Sequence, residues 1–496
     1  MEAYHEMQTQ TLARWFFLIG LWTASASAQT PASAPITVGG DVTLTGSLRT
    51  RSYSWDWFGD NGNGSYTYPA SLLRLGLMAS KRAYEWQVEF AAPVLLNLPT
   101  SAVMGAPQGQ LGLGASYFAA NSNSTNAGYV FLKQGFVRFK GIGGIAGQSL
   151  KIGRMEFNDG TEVVPAHATL AALKRDRISQ RLLGNFGFSD VGRSLDGALY
   201  SITRGKLNLT ALAARPTQGV FDVSGWPELN INVFYGALTG QVGGEHHAGE
   251  WRVFVLAYDD YRHGVLKTDN RSAAARAGDT GSIALGTYGG HYLQVASTRA
   301  GPVDLLFWGA GQTGSWGALA QRAYAFAAEV GWQPTGLEAL KPWIRAGYEY
   351  GSGDGNPADQ THGTFFQVMP TPRVYARLPF FNMMNNRDAF GALVLRPSKR
   401  LTVRTDLHAL ALANAADLWY SGGGPFQPAT FGYTGRPSSS QSNLATLSDI
   451  SGDYNVNPNV AVGAYYGYAS SKAVTSVVYS SGAGARLGYF ELLLRF

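Results

Sequence analysis

From Val38 onward, apolar and polar residues alternate with a period of two, broken at short intervals by Gly-, Asn- and Pro-containing turns. Val42, Leu44 and Leu48 alternate with Asp41, Thr43, Thr45, Ser47 and Arg49, and Leu73, Leu75 and Leu77 alternate with Arg74, Gly76 and Met78. The clearest stretch sets Tyr84, Trp86, Val88 and Phe90 against Glu85, Gln87 and Glu89. A period of two sends successive side chains to opposite faces of a strand. The charged face is unfit for a packed core, and the aromatic face is too large for a water-facing surface. Lipid on one side and water on the other satisfies both. The final stretch, RLGYFELLLRF, keeps Gly488, Phe490, Leu492, Leu494 and Phe496 on one face and stops on an aromatic residue. Such a strand needs a pairing partner, and a closed barrel supplies one in its first strand.

Further strands are expected at 127–140, 148–156, 193–203, 205–214, 230–240, 250–260, 282–299, 301–312, 317–333, 341–350, 387–396, 400–413, 442–456, 459–471 and 485–496, making eighteen with the first three. Alternate connections differ in length. The even-numbered ones, such as Lys81-Arg82, Gly141–Gly147, Gly205, Pro397–Lys399 and Asn457-Pro458, are short. The odd-numbered ones, such as 52–70, 92–126, 157–192, 351–386 and 414–441, are long, with 313–316 as the exception. Long loops outside and short turns inside are the rule for bacterial outer-membrane barrels, whereas a soluble sandwich has no reason to obey it. Segments 92–126 and 351–386 are the candidate lids or plugs.

Composition agrees with this reading. Charged residues are only 15 %, aromatic residues reach 12 %, and Gly is 62 of 496. No run of about 20 apolar residues follows residue 30, so no spanning helix is expected. With no Cys, disulfides and thiolate metal sites are excluded. The net charge of +6 is modest and no K/R-rich block occurs, which argues against nucleic acid as a partner. Arg14, the apolar run 15–22 and Ala26-Ser27-Ala28 read as an export signal over 1–28, leaving 29–496 as a single barrel domain.

The chemistry lies in ionisable residues in the lumen phase. Arg74, Glu85, Glu89, Lys206, Arg345, Glu349, Arg404, Asp406 and His408 alternate with apolar neighbours. A charge facing lipid costs roughly 2–4 kcal/mol at mid-membrane, so these are expected to point inward. Interspersed Arg and acidic residues suggest a ladder of mixed pairs with surplus Arg, whose planar fork suits carboxylates. Arg138, Arg154 and Arg252 share parity with apolar residues, so each requires a bulge or a rim position. Nucleophile, P-loop and zinc-protease motifs are absent, so neither an enzyme nor a cofactor is expected. His246-His247 reads as a polar turn. Asp354-Gly355-Asn356 with Asp359 resembles only a fragment of an oxygen-ligand calcium loop.

Three stretches carry a family resemblance: LKIGRMEFNDG at 150–160, VGRSLDG at 191–197, and the long run from Gly353 to Phe390, followed by RLTVRTDLHALALA and DLWYSGGGPFQ. Together they resemble the alginate export family of outer-membrane barrels. The resemblance implies a monomeric eighteen-stranded barrel that secretes an anionic polysaccharide through an arginine-rich lumen gated by loops. It implies that Arg154, Arg193, Asp196, Arg345, Arg387, Arg404 and Asp406 line or brace the conduit. Implied partners are the outer-membrane lipid and lipopolysaccharide, a separate periplasmic scaffold and an inner-membrane synthase. A porin for small anionic nutrients is the alternative.

Overall fold

The computed structural model describes residues 36–58, 62–244, 247–371, 377–480 and 482–496. The expected export signal and His246 lie outside them. Eighteen antiparallel strands form one closed sheet. In chain order they are β1 (Val42–Asp56), β2 (Ser65–Ser80), β3 (Tyr84–Leu95), β4 (Phe131–Lys140), β5 (Gln148–Met155) and β6 (Leu195–Arg204). Then follow β7 (Leu207–Pro216), β8 (Ile231–Gly244), β9 (His247–Asp260), β10 (Ile283–Ala296), β11 (Val303–Trp316) and β12 (Leu319–Trp332). The last are β13 (Trp343–Gly351), β14 (Asn386–Leu395), β15 (Leu401–Ala411), β16 (Asn443–Asn455), β17 (Val460–Ser471) and β18 (Ala485–Arg495). Each pairs with its successor, and β18 closes onto β1 from Ser47↔Arg495 to Asp56↔Arg486. No edge is left over, which is what a sheet in lipid requires. Among the described residues no helix is long and apolar enough to cross a membrane.

The faces follow the sequence pattern. Val88 and Phe90 are exposed while Gln87 and Glu89 are buried. Val255, Phe307, Leu407 and Phe490 also face outward, Phe490 with 74 % of its surface exposed. The start of β1, the end of β18 and the short turns lie at one end, the periplasmic end by the loop-length rule. The short outer connection is a two-residue turn at Gly317-Ala318 rather than 313–316. Gly317 adopts φ +61°, the left-handed conformation tight hairpins need, so both flanking strands run to the turn.

Closure is sealed by the terminal residue. Gly46 N–H donates to the Phe496 carbonyl at 3.0 Å and Phe496 N–H returns a bond at 3.1 Å. A Cβ on Gly46 would lie 2.1 Å from the Phe496 ring. Gly46→Val is therefore expected to displace the ring and weaken the seam by about 1–3 kcal/mol, the usual cost of overpacking. The fraction of protein that stays folded on a semi-native gel as temperature rises measures it. An unchanged transition would refute the close approach.

The outer half of the interior is filled. Connections 96–130, 156–194, 217–230, 352–385 and 412–442 fold inward or over the mouth and bury Phe186, Phe221, Phe366, Phe380, Trp419 and Tyr433 in one apolar cluster. A small ribbon, 419–422 paired with 433–436, braces it.

Candidate functional site

The interior site is built by two connections that run down into the barrel. The first, 156–194, carries a short helix at Ala168–Leu173 continuing as a wider turn through Ile178. Thr169 hydroxyl reaches Gln333 at 3.1 Å, in the periplasmic turn between β12 and β13, so this segment spans most of the barrel's depth. Its charged residues are clamped to the wall. Arg177 donates to Glu329 at 3.0 Å and to Glu349 at 3.1 Å, and Arg181 meets the same carboxylates at 3.4 and 3.0 Å. Arg345 pairs with Glu329 at 3.2 Å and with Asp304. On the opposite side Lys174 holds Glu250 at 2.6 Å. Burial, only partly offset by Glu250, lowers the Lys174 ammonium from its ordinary value.

The second connection, 352–385, pairs alongside the first. Gly184 N–H donates to the Met369 carbonyl and Met369 N–H to the Leu182 carbonyl, both at 2.8 Å. It then sends Arg377 down to Asp453 on β16 at 3.5 Å. Asp417 fastens this connection to 412–442. Its carboxylate accepts from Asp354 N–H (2.9 Å), the Thr364 hydroxyl (2.5 Å), Leu418 N–H (2.7 Å) and the Tyr420 hydroxyl (2.8 Å). Burial pushes its carboxyl up to about 6. Asp417→Asn replaces one acceptor by a donor facing donors, so it is expected to cost about 1–3 kcal/mol and loosen the outer plug. Protease cleavage within 352–385 measures it, and equal resistance in the variant would refute the hub.

Where the two inner segments face the wall from β14 through β18 to β1, charged groups keep some exposure. Arg404 on β15 is 15 % exposed and meets Asp176 at 3.4 Å, while Arg175, 43 % exposed, holds the same carboxylate at 2.8 Å. Against the upward pull of burial, Arg404 and Arg175 hold the Asp176 carboxyl well below its usual range. Arg396 stacks 5.6 Å from the Trp343 ring close by. Burial and then Arg404 lower its guanidinium. Two guanidiniums thus hold one carboxylate at the periplasmic end of this route, and Arg396 adds a third positive charge beside them. Further round, Asp453 and Glu491 remain partly exposed, and Asp406 lies opposite Asp449 across β15 and β16. The lining is a mixed ladder with its arginine surplus at the periplasmic mouth.

The residues expected to line the lumen divide by face. Arg74, Arg345, Glu349, Arg404 and Asp406 point inward. Arg74 is held by Glu89 and Glu156, and Glu85 by Arg138 at 2.9 Å. Arg138 reaches this side through a bulge between Glu89 and Phe90 that turns Lys133 and Gln134 both inward. Arg252 needs no bulge. Its neighbours Phe254, Leu256 and Tyr258 also face in, because the inner segments give this wall an apolar contact, and Arg252 meets Glu162 of 156–194 at 2.8 Å. Arg193 is buried among the loops. Arg154, Asp196 and Arg387 face outward.

Arg154 shares the face of exposed Ile152 and pairs bidentately with Asp196. Asp196 opposes Arg215, which bonds Asn232 at 3.0 Å. This ladder borders an open groove of about 690 Å³ on the outer surface near the loop end. Strand phase therefore gives the direction of Arg154, and the motif does not. Arg387 shares parity with exposed Ala389 and donates to the Leu412 carbonyl at 3.1 Å. These three brace the outer rim. The inner clamp residues Lys174, Arg175, Asp176, Arg177 and Arg181 are absent from the sequence-based set, although the dense run KRDRISQR between apolar residues was a visible signal.

A closed eighteen-stranded barrel with an apolar outer belt and a charged interior defines an outer-membrane channel. The sequence profile described as alginate export matches residues 46–468, and the chain belongs to that family, one of transport channels rather than enzymes. No group of three or more potential metal ligands occurs among the described residues. A search of curated proteins finds no match. Among solved structures the fold is similar to OccAB2 of Acinetobacter baumannii, with TM-score 0.57 and 10 % identity over 91 % of this chain and 98 % of that one. It is also similar to OccK9 (OpdG) of Pseudomonas aeruginosa, with TM-score 0.55 and 11 % identity over 92 % and 99 %. OpdK of the same organism, solved with vanillate, gives TM-score 0.52 and 9 % identity over 91 % and 98 %.

Proposed function

We propose that this channel passes small anionic solutes, carboxylates above all, along the route between its inner segments and the β14–β1 wall. The observation that carries this reading is the pair of segments inserted to the periplasmic third of the barrel, at Asp176–Arg404 and Arg377–Asp453. A lumen divided in this way suits a solute handed between a few charged groups better than an unobstructed polymer. The surplus of Arg175, Arg396 and Arg404 over Asp176 favours an anion at the mouth. Alternating Asp453 and Glu491 would keep it from being trapped. The fold shared with OpdK, whose structure was solved with vanillate, an aromatic carboxylate, is in keeping with this reading.

Export of an anionic polysaccharide is the second reading. The family match favours it, and so does the distribution of charge. The periplasmic turns carry Arg82, Lys206, Arg299, Lys341, Lys399 and Arg400, all exposed, against Glu338 and Asp41 among the described turn residues, and Asp41 is paired with Lys81. A basic rim on that side would gather a polyanion delivered from the periplasm, by a separate scaffold and synthase. Reconstituted vesicles separate the two. Swelling in small carboxylates without release of entrapped polyuronate supports the first reading, and polyuronate release overturns it.

A further inference from the structure

Buried guanidiniums in this barrel are matched to acids: Arg51 to Glu491, Arg181 to Glu349, Arg252 to Glu162, Arg345 to Asp304. Arg436 has no carboxylate, but its three nitrogens bond the Gln108 carbonyl, the Ser421 hydroxyl and the Gln110 carbonyl. Arg193 is different. It is 2 % exposed, forms no ion pair with any described residue, and donates only from Nη2, to the Gly423 carbonyl at 2.5 Å. Its Nε and Nη1 have no partner among the described residues. The Phe186 ring lies 5.6 Å from the guanidinium carbon, and this ring surface cannot neutralise the charge. Burial pushes the guanidinium down to about 10, and no carboxylate figures among the groups acting on it. An isolated buried cation is far costlier than a paired one.

Arg193 also lines a small cavity with Phe157, Leu183, Asn185, Ser194 and Met369. Its volume of about 10 Å³ leaves room for a single small occupant. We infer that a single halide-sized anion, chloride under ordinary salt, occupies this cavity against the Arg193 guanidinium. A water could bond Asn185, Ser194 and the guanidinium, but it would leave the buried charge uncompensated, whereas an anion against the two free donors neutralises it. The site lies where the inner segments meet. Arg193 N–H bonds the Asn185 carbonyl within 156–194, and its Nη2 reaches 412–442 through Gly423. The bound anion would therefore pin the plug together, independently of what the channel carries.

The test compares the thermal transition of the purified, full-length protein in chloride and in gluconate at matched ionic strength, with Arg193→Met and Arg193→Lys beside it. Arg193→Met replaces the charge with an apolar chain of similar length, and Arg193→Lys keeps the charge with fewer donors. The expected result is a midpoint that rises with chloride and bromide in the natural protein, by several degrees over a hundredfold range. The rise should be weaker in Arg193→Lys and absent in Arg193→Met. Crystals soaked in bromide should show an anomalous peak within hydrogen-bonding distance of the guanidinium. Equal halide dependence in the natural protein and Arg193→Met would overturn the inference. So would no dependence in the natural protein, or a cavity holding water alone with no anomalous signal. Should Arg193→Met not fold, the bromide peak and the Arg193→Lys titration still decide it.

Discussion

Replacing Glu329 by Ala is expected to release the inner segment and raise single-channel conductance several-fold. Glu329 on β12 is the shared acceptor for Arg177, Arg181 and Arg345. Without it, the described carboxylates that pair with these three guanidiniums fall from three to two, Glu349 and Asp304. Breaking a buried pair by removing one partner typically costs about 3–5 kcal/mol, because the remaining charge is stranded. Here two of the charges, on Arg177 and Arg181, sit on a connection that can move away and regain water, while Arg345 on the wall keeps Asp304. The expected damage is therefore local: the sheet stays closed and the segment leaves. Trypsin should then cut after Arg175, Arg177 or Arg181 in Glu329→Ala and spare them in the natural protein. Unchanged conductance together with unchanged resistance would show that the clamp does not hold the segment.

The second large effect concerns selectivity. Arg175, Arg396 and Arg404 against Asp176 give the periplasmic mouth a local surplus of two positive charges, and Arg175→Glu with Arg404→Glu converts it to a deficit of two. At an effective dielectric near 20, a charge pair about 4 Å apart is worth about 4 kcal/mol. Salt screening over about 8 Å reduces this in a wet passage. A remaining difference of about 1.4 kcal/mol already changes a ratio tenfold. The permeability ratio of anions to cations is expected to fall at least tenfold and the reversal potential to change sign. Working at low salt maximises the signal. A ratio that moves less than twofold would place the selectivity step elsewhere.

The contrast between these two predictions mirrors what the sequence could show. Strand phase is local: Val88 and Phe90 out, Glu89 in, is written in consecutive residues, and so are the eighteen strands and their alternating connections. The inner clamp is not local. Arg177 and Arg181 lie in an irregular segment without a two-residue period, and their partners Glu329 and Glu349 lie about 150 to 170 positions away. Arg252 misled because its face carries Phe254, Leu256 and Tyr258. That is an apolar lumen wall only because the chain folds back against it. Arg154, Asp196 and Arg387 show the converse. They stand in motifs shared with a family of channels, yet their strand parity turns them to the outer rim, where a charge at the membrane boundary costs little. Segment 352–385 was legible as a plug from its length and its aromatic content, while 156–194 was hidden among ordinary outer loops.

The most direct test of the central reading is single-channel recording with the protein inserted in one known orientation. Small carboxylates and a polyuronate of graded chain length are added in turn to the periplasmic side. The account predicts an anion-selective current carried by the small carboxylate and saturating with its concentration, with polyuronate causing at most a chain-length-independent block at the mouth. Blockades that lengthen with polymer size and end in transfer to the far side would contradict it and establish a polymer conduit.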